Sequence, residues 1–140
     1  MKKLISLIII SFFALPASAS DMDDIKKTVE NYASYDNNYD AKGLENVTDE
    51  SFHFIMHAPG DTEVVRTISR ETFLKGIAAK QFGGNNKVLK IEKVDLQGNI
   101  ANVYFTQKGK GAGFHHFMNL VKLNGKWKAA STAAHMELYE

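Results

Sequence analysis

The chain has 140 residues, no cysteine, and 17 Lys+Arg against 16 Asp+Glu. Without thiols there can be no disulfide, thiolate nucleophile or cysteine-ligated zinc. The near-neutral balance lacks the strongly basic face of a nucleic-acid binder.

The amino terminus reads as a removable leader. Lys2 and Lys3 precede an apolar stretch, Leu4 to Leu15, which is too short for a membrane span, and Ala17-Ser18-Ala19 fits a small-x-small cleavage site. The expected mature chain, residues 20–140, carries 15 Lys+Arg and 16 Asp+Glu once Lys2 and Lys3 leave, a net charge of −1. Its size fits one domain with a core of its own, and no repeat or linker divides it. The expected compartment is periplasmic or secreted, with no membrane contact after cleavage.

Ser20 and Asp21 offer N-caps, and Ile25, Val29, Tyr32 and Ala33 recur at helical spacing, so residues 22–37 are predicted helical. Asp40 then caps a short second helix carrying Leu44 and Val47. FHFIMH, residues 52–57, predicts a strand closed by the turn Ala58-Pro59-Gly60-Asp61, with Glu63 to Ile68 as its hairpin partner. Ser69 caps a third helix through about Lys80, with Phe73, Leu74 and Ile77 on one side. Gln81 to Asn86 is loop. Four strands follow, over 88–96, 99–106, 113–123 and 126–138, the last two joined by Asn124-Gly125, a pair suited to a type I′ turn. Helices first and an antiparallel meander afterwards predict an α+β fold with the helices on one sheet face.

The histidines are the first candidates for chemistry. His115 and His116 are neighbours on a strand, so their side chains leave opposite faces. His53 and His57 share a face but stand about 13 Å apart at roughly 3.3 Å per residue. His135 lies on another strand and could join one of them across the sheet, but no metal site and no cofactor is expected. Lys87, Lys90 and Lys93 read as a solvated strand face. Trp127 reads as a sheet anchor. Gly83-Gly84 lacks the strand–turn–helix context of a phosphate loop.

FMNLVKLNGKWK, residues 117–128, and SRETFL, residues 69–74, resemble the small exported branch called "putative lumazine-binding" within the nuclear transport factor 2-like superfamily. The element order over residues 20–140 resembles the same superfamily. The resemblance implies its cone: N-terminal helices packed on a curved antiparallel sheet, with an apolar pocket between them and a homodimer through the sheet. The fold hosts isomerases, dehydratases, plain binders and dimerisation modules, so it does not fix a function.

Ketosteroid isomerase, of the same fold, resembles this chain in its first helix. Tyr32 stands eight residues before Asp40, the spacing of its oxyanion-hole tyrosine to the residue opening helix two. Its second oxyanion donor would fall at Asn119, whose amide can donate without a shifted pKa. Its catalytic aspartate falls at Met56, with His57 one step away as a substitute base. The resemblance thus implies His57, Tyr32 and Asn119 as a catalytic set. If Asn119 faces the pocket, so do His115, Phe117 and Val121, while Phe114, His116, Met118 and Leu120 face away. The expected lining is Tyr32, Tyr35, Phe54, His57, His115, Phe117 and Asn119. The expected partner is a small apolar or carbonyl-bearing molecule. An isomerase-like proton-transfer or dehydration enzyme, and a dimeric interaction module, stand as the alternatives.

Overall fold

The computed structural model describes residues 19–60 and 65–140. The leader expected over residues 1–19 and the residues 61–64 of the first hairpin therefore fall almost wholly outside the described chain. Two helices open the structure, α1 (Ala19–Asn37) and α2 (Ala41–Val47). Strands β1 (Thr48–His57) and β2 (Arg66–Ser69) follow, then helix α3 (Arg70–Ala78). The remainder is sheet: β3 (Val88–Gln97), β4 (Ile100–Lys108), β5 (Ala112–Leu123) and β6 (Lys126–Leu138).

The helix starts follow local chemistry. The Asp40 carboxylate accepts the Gly43 N–H at 2.8 Å, and the Ser69 hydroxyl accepts the Thr72 N–H at 3.2 Å. Each satisfies an amide that the first helical turn leaves without a partner. Helix α1 begins earlier than its capping residues suggest, so Ser20 and Asp21 lie in its first turn. Asp21 there accepts from Lys122 Nζ at 2.7 Å and from Trp127 Nε1 at 3.0 Å. These contacts tie the start of α1 to the last hairpin and make Trp127 the anchor expected of it.

The six strands form one sheet in the order β2-β1-β6-β5-β4-β3. Four of the five ladders are antiparallel, as expected; β1 and β6 run parallel, so the sheet is mixed. The exception is topological. A hairpin joins only neighbours in sequence, whereas β1 meets the last strand after α3 and four other strands have intervened. Register shifts interrupt the β3–β4 and β5–β6 ladders, and such bulges bend and twist a sheet. The concave face receives the helices, and the core forms there around Ile25, Val29, Leu44, Phe52, Ile77, Phe105, Met118 and Leu120, all at most 2% exposed. The described residues leave the opposite face open.

Candidate functional site

Between the concave face, α1, α3 and the loop over 81–87 lies a cavity of about 290 Å³. Alternation along β1 turns Phe52, Phe54 and Met56 toward the helices, and Phe54 and Met56 reach the cavity. Phe73 of α3 stacks on Phe54 at 5.6 Å and on Phe82 at 6.3 Å. Phe82 can lie there because Gly76 beneath it has no Cβ; one added at Gly76 would collide with the ring. Ile68 and Phe114 complete an apolar, largely aromatic wall.

The other end is polar. Asp36, in the last turns of α1, pairs with Lys87 at 2.8 Å, and both side chains are at most 10% exposed. The Lys87 ammonium also donates to the Gly84 carbonyl at 2.7 Å, so this buried cation is matched by an anion and a dipole. Gln107 Nε2 donates at 3.5 Å to Asp36 Oδ2, the same oxygen that pairs with Lys87. Tyr32 sits one turn before Asp36, fully buried between Phe52 and Phe73. Burial, and after it the Asp36 charge, push its phenol well above the ordinary value of 10. It therefore remains a neutral hydroxyl.

His116, on β5, faces the same cavity. Its ring lies 4.6 Å from Phe105, nearly parallel, and meets Phe54 edge-on. Its Nδ1 is 3.2 Å from Thr132 Oγ1, which leaves Nε2 for the cavity. Burial first, then the Lys87 charge and that of His115, lower its pKa to about 3. At neutral pH it is an uncharged imidazole, able to form a hydrogen bond but a weak base. The cavity thus offers an aromatic wall, several neutral hydrogen-bonding groups, and an ion pair that neutralises itself.

Of the residues expected to line the pocket, Tyr32 and Phe54 do so. Tyr35 instead packs on α2, its ring against Gly43. His57, His115, Phe117 and Asn119 stand on the open face, which corrects the expected phase of β5. Phe117 is 54% exposed and stacks on Tyr104, whereas His116, Met118 and Leu120 are at most 3% exposed. Asn119 accepts from Asn102 Nδ2 at 2.9 Å and donates to Ser131 Oγ at 3.0 Å, within a surface amide ladder. The physical reason is apolar content. Phe114, Met118 and Leu120 offer more surface to bury than Phe117 and Val121, so that set turns inward and takes His116 with it.

The sheet therefore separates Tyr32 from both Asn119 and His57. Met56, the position that the isomerase resemblance gives to the base, faces the cavity without a carboxylate. Lys87 is a second correction: Lys90 and Lys93 are solvated and pair with Glu92 and Asp95, but Lys87 is buried. Sequence reasoning missed Asp36, Lys87, Gln107 and His116. Only His116 left a legible signal, through the apolar imbalance of its strand.

The family described as "Putative lumazine-binding" matches residues 20–133. No curated protein matches the chain. Among solved structures, an NTF2-like protein of unknown function from Shewanella baltica aligns with a TM-score of 0.76 at 16% identity, covering 89% of this chain and 99% of that one. An NTF2-like protein of unknown function from Silicibacter pomeroyi aligns with a TM-score of 0.74 at 19% identity, covering 84% and 97%. A ketosteroid isomerase-like protein from Erwinia carotovora aligns with a TM-score of 0.65 at 14% identity, covering 85% and 98%. At these identities the likeness establishes the fold alone.

Proposed function

We propose, from the premise that this chain belongs to the "Putative lumazine-binding" family and has the nuclear transport factor 2-like fold, that its cavity binds a small planar heteroaromatic or carbonyl-bearing molecule without reacting with it. One observation carries the reading: aromatic rings face neutral hydrogen-bonding groups across a single cavity, and the charges within it are already paired. A flat ring stacks on Phe54, Phe73 and Phe114. Its carbonyl or ring N–H groups meet His116, Tyr32 and Gln107. Proton transfer is disfavoured, because His116 is a weak base and Met56 stands where a carboxylate is wanted.

Lumazine, a bicyclic pteridine bearing carbonyls and ring N–H groups, is the first probe. Titration should change its fluorescence saturably and raise the melting temperature, by about 2.7 kcal/mol of added stability at a hundredfold excess over Kd. Phe114→Ala should weaken binding. A titration with no saturable change, repeated with other planar carbonyl compounds, would overturn the reading. So would binding that is indifferent to Phe114→Ala.

Export belongs to the same reading. The family match begins at residue 20, the expected first residue of the mature chain; intact mass of the cell-derived protein tests it. A second reading, self-association through the open face, is favoured by the exposure of Phe117 and Ile100, 54% and 60%. Sedimentation of Phe117→Lys against the parent tests that reading.

A further inference from the structure

Three histidines stand in one row across the open face. His57 of β1 is directly opposite His135 of β6, and His135 is directly opposite His115 of β5. We propose that His57 and His135 form a surface site for a late first-row divalent metal ion, with Cu²⁺ bound most tightly.

The geometry carries this. The two Nδ1 atoms are 3.2 Å apart, and the rings are inclined by 26° with centroids 5.4 Å apart. Two imidazole nitrogens, each about 2.0–2.1 Å from one ion, stand roughly 3 Å apart. The observed 3.2 Å, which a hydrogen bond between the two rings spans when no metal is bound, is close to the spacing of two ligands sharing an ion, and it is held by strands already paired in the sheet. Little ordering is needed, so little of the binding energy is lost to it.

The third histidine is engaged elsewhere. His115 Nδ1 is 3.0 Å from the Tyr104 hydroxyl, and its Nε2, buried and without a hydrogen bond, lies 3.0 Å from Glu137 Oε2. Among the described residues no three His, Asp or Glu side chains converge as a ready-made site. The protein therefore supplies two ligands, and water fills the remaining positions. Glu137, whose Oε2 lies 3.0 Å from His115 Nε2, places a carboxylate on the same strand as His135. Two imidazoles with water suit tetragonal N,O coordination, which selects Cu²⁺ and Ni²⁺. With only nitrogen donors from the protein, Mg²⁺ and Ca²⁺ are excluded.

The test is calorimetric titration of the untagged chain with CuCl₂, NiCl₂, ZnCl₂ and MgCl₂, with the electron paramagnetic resonance of the Cu²⁺ form as a second readout. The expected result is one Cu²⁺ per chain with nitrogen couplings from imidazole, weaker Ni²⁺ and Zn²⁺, and no Mg²⁺. His57→Ala and His135→Ala should each weaken Cu²⁺ by at least about tenfold, the loss that follows even from disturbing a ligand's support. His115→Ala and His53→Ala should leave it nearly unchanged, with circular dichroism confirming the fold of each variant. The proposal is overturned if Cu²⁺ does not bind. It is equally overturned if binding survives His57→Ala, or if His53→Ala weakens it as much.

Discussion

Acid sensitivity should be concentrated in His116. The folded protein holds this imidazole neutral down to about pH 3, whereas the ordinary value is 6.5. Below pH 6.5 the unfolded chain binds a proton that the folded chain refuses, so stability falls as pH falls. Between pH 7 and pH 5 this one residue should cost about 2 kcal/mol, from the ratio of unfolded to folded proton binding. The residue is 3% exposed, so solvent screening does little to reduce the figure. The perturbation is His116→Gln, which keeps a polar partner for Thr132 but cannot titrate. Its absolute stability should drop by about 1–3 kcal/mol, because the ring contacts with Phe105 and Phe54 are lost. The informative quantity is the difference between pH 7 and pH 5, measured by urea unfolding with the slope checked for constancy. The parent should lose about 2 kcal/mol more than the variant over that interval. Equal losses would refute the claim that a buried, neutral His116 lines the cavity.

Asp36→Asn leaves the buried Lys87 ammonium without its anion and should cost about 3–5 kcal/mol in chemical denaturation; Lys87→Met in the same chain should recover much of that loss. Gly76→Ala drives a Cβ into the Phe82 ring, so it should lower stability by about 1–3 kcal/mol and weaken any ligand stacked on that wall. Thermal unfolding and the lumazine titration read the two effects. Asn119→Ala touches only the surface amide ladder and should change stability by no more than about 1 kcal/mol, with the cavity's binding unaltered. A large effect on binding would return Asn119 to the pocket.

The elements themselves were legible in local chemistry. Asp40 and Ser69 announce helix starts because their side chains satisfy amides that the first turn cannot. Asn124-Gly125 announces a hairpin because few other pairs take positive φ at both positions, and both are positive here. Strand boundaries follow from alternation between such turns. These are properties of a few adjacent residues, so the amino-acid sequence determines the order of helices and strands and the α+β class.

The candidate site depends on distances that adjacent residues do not contain. His116 turns inward because its strand buries Phe114, Met118 and Leu120, a choice made by the sheet as a whole. A phase argued from Asn119 and the isomerase resemblance ran one residue out, and in a strand one residue exchanges every side chain between faces. Asp36 and Lys87 are 51 residues apart and read separately as ordinary surface charges. They become a buried pair only when α1 lies against the loop leading into β3. His57 and His135 meet for a similar reason: the parallel pairing of β1 with β6 joins the first strand to the last, and no turn between them could signal it. Local sequence fixes which elements form; packing between elements far apart in the chain decides which side chains share a cavity or a surface.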